Sequence, residues 1–285
     1  MLKTDREFKL TVINLNTELN SSVITLSLFT LLRNSIQRKV HLINAYFNNG
    51  FIKDDADNMT CSVIHFNIPY LNKIKCSYCG RCITYCSKGA RDLIREIPSV
   101  TVDKHKCQGC LKCARSCTVN AITTQEIEVG SVFKTVIDNG SSIQSGTHKF
   151  GENYDVHIFK EMNSGVDELE SIIYEVPYQS ASISRKAITY SDVIFVTLPH
   201  YSNLDDEMLA ILYFIHKLNK KIILLKKTNT DNSFKIPDFM HNAEILYYNE
   251  LLTPKDEENL NKSFTKILNK PLSTKVKEVK NISTD

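Results

Sequence analysis

The sequence predicts an α/β fold, a mainly parallel, doubly wound sheet, together with a small cysteine-rich module of α+β character. Three observations predict it. Short apolar, β-branched runs alternate with stretches of helical spacing on both sides of the chain's centre. Eight of the nine cysteines crowd between Cys76 and Cys117. That crowded segment also repeats itself. With 42% apolar and 24% charged residues in 285, the chain has an ordinary globular composition and enough apolar material for one large core or two smaller ones.

The elements follow in order. Lys9–Asn14 reads as a strand, Ser22–Arg33 as a helix and Lys39–Ala45 as a second strand. The helix carries Val23, Leu26, Leu28, Leu31 and Leu32 as a candidate buried face. From Ile68 to Asp138 the chain is rich in cysteine and basic residues, with short strands. Asn139–Thr147 is rich in Ser and Gly and reads as a loop. Strand and helix then resume. Ser171–Val176, Asp192–Leu198, Lys221–Leu225 and Ala243–Tyr248 read as strands, and Leu204–Leu218 has helical spacing. Continuous apolar strands alternating with amphipathic helices imply a parallel sheet covered on both faces. After Pro271 the chain is polar and Lys-rich, and reads as a mobile tail.

The net charge of +3 is too small to point to nucleic acid. No apolar run approaches the roughly 20 residues that span a bilayer. Met1–Phe8 is charged and lacks the apolar core of a signal peptide. The expectation is a cytoplasmic protein without a membrane span. A disulfide framework needs an oxidising compartment, so clustered thiols read instead as metal ligands.

The segment from Cys76 reads CSYCGRCITYCSKGA, and that from Cys107 reads CQGCLKCARSCTVNA, an offset of 31 residues with Ala90 and Ala121 closing the shared pattern. Each half has the spacing Cys-x2-Cys-x2-Cys-x3-Cys. One tight loop can wrap three thiolates around a cube of iron and sulfur, and the fourth comes from the opposite half. Two 4Fe–4S clusters are thus expected. One is assigned to Cys76, Cys79, Cys82 and Cys117, the other to Cys107, Cys110, Cys113 and Cys86. Zinc sites more often pair two Cys-x2-Cys knuckles set well apart, which these triplets do not resemble.

Cys61 falls outside the pattern and reads as a small buried apolar residue. Tyr78 and Tyr85 read as packing residues, and His105 as a solvent-facing turn residue. Between Lys73 and Cys117 ten basic residues, Arg91 among them, face three acidic ones, giving +7 there and −4 for the rest of the chain. Such flanks favour the reduced form of a negative cluster, and they read either as steering for an acidic redox partner or as a solvated basic face that offsets cluster charge.

The cysteine pattern resembles that of bacterial two-cluster ferredoxins over both halves. It departs where Ser87 and Thr118 replace the proline that usually follows the fourth cysteine. The flanks resemble P-loop ATPases of the MinD/ParA type, in the group with a ferredoxin module inserted after the second strand. The matching features are the strand and helix from Leu10 to Arg33, IPYLNKIKC leading into the module, Gly151-Glu152 after it, IIYEVPY and VIFVTLPHYSNLDD. The resemblance implies a discontinuous P-loop NTPase-like domain over 1–67 and 139–270, a ferredoxin insert over 68–138 and a flexible tail over 271–285.

The family's phosphate loop, Lys-Gly-Gly-x-Gly-Lys-Thr, aligns with LNTELNS at Leu15–Ser21, which lacks both lysines and all three glycines. Its Asp-x-Asp aligns near Ile43–Ala45 without a carboxylate. Glu175 stands for its later Asp, and KKTNTD at Lys226–Asp231 does not match its base-reading motif. Without the phosphate clamp, ATP and Mg²⁺ are not expected cofactors and no catalytic residues are assigned. The leading reading is an iron–sulfur electron-transfer protein on a degenerate scaffold. The alternatives are an ATPase gating electron transfer, a pseudo-ATPase paired with itself or with a MinD-like homologue, and a cluster-delivery protein.

Overall fold

The computed structural model describes residues 7–15, 22–47, 58–94, 99–167, 169–199, 204–228, 236–240, 243–248 and 254–270. The expected tail over 271–285, the segment Asn16–Ser21, His200 and Asn229–Asp231 lie outside the described residues. Two compact units emerge, Met1–Leu42 with Asp167–Asp285, and Ile43–Val166.

Strand β1 (Lys9–Asn14), helix α1 (Ser22–Ser35) and strand β2 (Val40–Asn44) open the chain. The second unit holds β3 (Met59–Leu71), α2 (Arg81–Thr84), β4 (Arg91–Ile94), β5 (Ser99–Val102), α3 (Lys112–Arg115), β6 (Ile122–Val136), β7 (Ser142–His148) and α4 (Asp155–Asn163). The chain then supplies β8 (Ser171–Pro177), α5 (Ala181–Tyr190), β9 (Val193–Thr197), α6 (Asp206–Lys217), β10 (Lys221–Lys227), β11 (Glu244–Tyr248) and α7 (Pro254–Asn269).

In the first unit the strands run in the order β11-β10-β9-β1-β8-β2. The pairs β11–β10, β10–β9, β9–β1 and β1–β8 are all parallel. Every residue of β2 and β9 is buried, as strands covered on both faces require. Helix α1 packs against α7, and α5 against α6. The apolar face of α7 is Leu260, Phe264, Ile267 and Leu268, with the Phe264 ring edge-on to Phe195 at 5.4 Å. Helix α6 is delimited by its own sequence. Asp205 accepts the Met208 amide at 2.7 Å as N-cap, Asp206 and Glu207 fill the first turn, and His216 and Lys217 the last. Lys220 Nζ donates to the carbonyls of Thr189 and Ser191 and satisfies the end of α5. No helix among the described residues is long and apolar enough to cross a membrane.

A partly buried polar knot stands beside β2. His41 Nε2 lies 2.9 Å from Glu170 Oε2, Lys39 Nζ lies 3.0 Å from Oε1, and the Asp167 amide donates to Oε2 at 3.0 Å. Burial raises the Glu170 pKa, but the Asp167 amide, Lys39 and His41 outweigh it and hold the carboxyl below its ordinary value. A depressed carboxyl stabilises the fold above its unfolded pKa, about 4.3, and loses that contribution as pH falls through the folded value. Glu170→Gln is therefore expected to lower stability by about 1 kcal/mol at pH 7, and by less as the pH drops below 4. Melting curves across that range check this, and a pH-independent loss would refute it.

The second unit departs from the expectation of short strands. β3 and β6, of 13 and 15 residues, pair antiparallel along their whole length with one register shift at Ile64/His65. β7 pairs antiparallel with β6, and α4 packs on both. Three expectations are corrected here. Asn139–Thr147 is not a loop, because most of it forms β7. Its serines face inward, with Ser142 at 0% and Ser145 at 1% exposure. Gly146 is there because Phe47 and Ile158 come within 2.8 and 2.9 Å of where a Cβ would stand. Cys61 is not buried. It lies exposed on β3, which among the described residues has a paired neighbour on one side only. Tyr85 is not a buried packing residue: it is 54% exposed, at the edge of the cavity that Cys86 lines. The second compact unit spans Ile43–Val166, and within it β7 and α4 build on the β3–β6 ribbon.

Candidate metal centre

The two cysteine runs fold alike. In each, a short helix (α2 or α3) follows two residues with positive φ. These are Tyr78 (51°) and Gly80 (76°) in the first run, and Gly109 (59°) and Leu111 (57°) in the second. A third such residue closes each run, Gly89 (59°) and Asn120 (49°). All three pairs sit 31 residues apart, at the repeat offset. Left-handed residues let successive amides turn toward one concave side, where they stabilise anions. The Tyr78 amide donates to Cys76 Sγ at 3.3 Å, Ala90 to Cys86 Sγ at 3.2 Å, and Ala121 to Cys117 Sγ at 3.2 Å. The halves are laced together reciprocally. Asn72 N donates to Ala121 O, and Asp103 N to Ala90 O, each at 2.8 Å.

Two small cores hold the cysteines, and Cys82 and Cys113, one from each set, share the first. Cys82 and Cys113 are buried with Leu71, Val100, Ala121 and Ile122, against which Cys76 and Cys117 pack. Cys107 is buried with Ile68, Ala90, Ile127, Val129 and Tyr154, against which Cys86 packs. Two cavities result. One, with about 330 Å³ of empty space partly open to solvent, is lined by Cys76, Cys79, Cys82 and Cys117. The other, with about 360 Å³, is lined by Cys86, Cys107, Cys110 and Cys113. Each therefore gathers three cysteines from one run and one from the other.

Burial pushes the Cys82 and Cys107 thiols up, and the Arg91 charge opposes it at both. The Arg81 amide, then the Ser77 hydroxyl, hold the exposed Cys79 thiol below its ordinary value. Burial, with Cys107 and Asp103 nearby, pushes the Tyr154 hydroxyl up to about 12. It donates to Lys104 O at 3.1 Å.

This donor set suits a cluster. A zinc ion needs its sulfurs about 2.3 Å from one point, whereas a cube takes each thiolate on a separate iron. Among the described residues, no three His, Cys, Asp or Glu side chains converge on a single ion's position. Cysteine-lined cavities edged with amide donors fit the cube.

Of the other singled-out residues, His105 is exposed, with its ring edge-on to Phe150 at 5.8 Å. Tyr78 is half-buried against the Cys82 core. Eight basic residues of the segment, Lys73, Lys75, Arg81, Lys88, Lys104, Lys106, Lys112 and Arg115, are exposed. Glu175 is fully buried in β8, opposite Val12. Leu15 is buried, and the rest of LNTELNS is outside the described residues. Sequence reasoning counted Arg91 as one more surface base. It is instead 3% exposed and lines the Cys107 cavity. The signal that could have found it was the repeat itself, which places Arg91 opposite apolar Ile122.

Comparison with known proteins agrees on this segment. The 4Fe-4S binding domain family matches residues 100–123. The chain is similar to the pyruvate synthase subunit PorD of Methanothermobacter marburgensis, 43% identical over 54 residues, which is 19% of this chain and 60% of that protein. It is also similar to the PorD subunit of Methanocaldococcus jannaschii, 40% identical over 55 residues, 19% of this chain and 63% of that protein. The chain thus spans under two thirds of the length of these curated relatives. Among solved structures, a plasmid partition protein of Borrelia burgdorferi aligns with a TM-score of 0.40 at 14% identity, covering 92% of this chain and 100% of that one. A putative plasmid partition protein of the same organism bound to AMPPNP aligns with a TM-score of 0.39 at 14% identity, over 92% of this chain and 100% of that one. A ferredoxin-type 4Fe–4S binding segment is therefore present in the second unit.

Proposed function

We propose that this protein is an electron carrier with two 4Fe–4S clusters, one on Cys76, Cys79, Cys82 and Cys117, the other on Cys107, Cys110, Cys113 and Cys86. The observation that carries the reading is the pair of cavities, each lined by three cysteines of one run and one of the other. When bound, such clusters take up and release single electrons at potentials set by charge, hydrogen bonding and burial. The chain's own residues set those conditions. The amides of Tyr78, Ala90 and Ala121 donate to the sulfurs of Cys76, Cys86 and Cys117, and the two small cores exclude water on one side.

The exposed bases around the runs suit an acidic partner surface, with attraction that weakens as salt rises. The PorD relatives are subunits of pyruvate synthase, which supports an oxidoreductase as the class of partner.

The test is anaerobic reconstitution of the full chain, with iron and sulfide counts and EPR after reduction. About eight irons and eight acid-labile sulfides per chain, with two interacting cubes, are expected. Bound zinc without labile sulfide would sink the reading.

A further inference from the structure

Arg91 opens β4, where the chain leaves the first cysteine run. Its side chain is almost wholly withdrawn from solvent, and Nε and both Nη nitrogens are buried without a hydrogen-bond partner. A guanidinium stays charged at any ordinary pH. A buried charge without a partner is among the most unfavourable things a fold can hold. Thiols are prominent among its neighbours. Arg91 lines the cavity of Cys86, Cys107, Cys110 and Cys113, and lies within electrostatic reach of Cys82 in the other set.

The repeat supplies an internal control. At the position 31 residues on, the other cavity is lined by Ile122, and where the first has Lys88 the second has Val119. The backbone frames match, and the electrostatics differ. Reduction adds one negative charge to a cluster, and a fixed positive charge in a water-poor setting favours that state.

We propose that Arg91 is a redox-tuning residue, whose guanidinium provides the buried counter-charge and N–H donors for the cluster on Cys86, Cys107, Cys110 and Cys113 and makes it the higher-potential member of the pair. The role rests on the two-cluster assignment above. Arg91 orients charge and donors toward the site and transfers no electron or proton itself.

The test uses the reconstituted full chain as wild type, Arg91→Met and Arg91→Lys. Iron and sulfide are counted first, because absence of labile sulfide in the wild type rejects the two-cluster reading before any variant is considered. EPR-monitored redox titration follows. Arg91→Met is expected to shift the reduction equilibrium of the higher-potential site at least tenfold toward the oxidised form, about 59 mV for one electron. The lower site should move less, and Arg91→Lys should retain part of the effect. Potentials within twofold of wild type, about 18 mV, in an Arg91→Met chain carrying both clusters would overturn the proposal. Met removes a buried charge without leaving a large cavity, so the variant is expected to fold. If it folds but does not load, loading by Arg91→Lys supports the counter-charge role. Failure of both variants to load assigns Arg91 to packing and overturns it.

Discussion

Cys86→Ser is expected to empty the cavity of the second cysteine run, although Cys86 belongs to the first. Cys86 lines the cavity that holds Cys107, Cys110 and Cys113, and its sulfur accepts the Ala90 amide there. Iron and sulfide should fall from about eight to about four of each per chain, and the magnetic interaction between two cubes should vanish from the EPR spectrum. Alkylation of the folded variant should then mark Cys107, Cys110 and Cys113, with Cys76, Cys79 and Cys82 protected. Cys117→Ser should give the mirror pattern. Labelling of Cys76, Cys79 and Cys82 in the Cys86 variant would show that each run keeps its own four ligands, contrary to the crossed arrangement. The loss should also loosen the small core around Cys107, since binding free energy of the cofactor is part of the folding free energy of such a unit. That core is Ile68, Ala90, Cys107, Ile127, Val129 and Tyr154, too little apolar surface to hold a cysteine-rich loop by itself.

What the sequence revealed follows from where pattern and burial agree. β1, β9 and α1 were legible because strands covered on both faces read as unbroken apolar runs, and their helices show the 3.6-residue period. β7 was not. Its Ser and Gly residues carry loop composition, yet they are small because Phe47 and Ile158 press on them, and only tertiary contact shows that. The lengths of β3 and β6 were hidden for a related reason. Much of β3 is exposed, so its pattern lacks a buried face to betray it. The grouping of the eight cysteines was legible because their spacing repeats in both runs, 31 residues apart. Arg91 was not, because burial of a charged residue is invisible in a count of bases. The left-handed positions were half visible. Glycine marks Gly80, Gly89 and Gly109, while their repeat partners Leu111, Asn120 and Tyr78 adopt the same conformation without it.

That asymmetry singles out Gly109. Its counterpart Tyr78 shows that the left-handed backbone alone does not demand glycine there. The surroundings do. A Cβ on Gly109 would stand 2.2 Å from Phe66 Cε1 and 2.7 Å from the Asn67 carbonyl oxygen. The ring could turn only against Tyr154 and His157, whose rings lie 5.5 and 4.1 Å away. The carbonyl belongs to the long β3–β6 ladder and cannot yield without breaking it. Gly109→Ala combines this overpacking with the left-handed penalty, about 2–5 kcal/mol together. The matched control is Gly89→Ala, which has the same φ of 59° and nothing within 4 Å of the added carbon. It pays only the backbone penalty, about 1–2 kcal/mol. The Gly109 amide also donates toward Cys107 and lowers its thiol pKa against the larger effect of burial. Displacing the loop should therefore reduce loading at the second run as well as stability. The checks are urea unfolding of both variants and their iron counts after reconstitution. Equal loss in the two would mean that the β3 contact is not what fixes this loop, and that its shape is held by the left-handed turn alone.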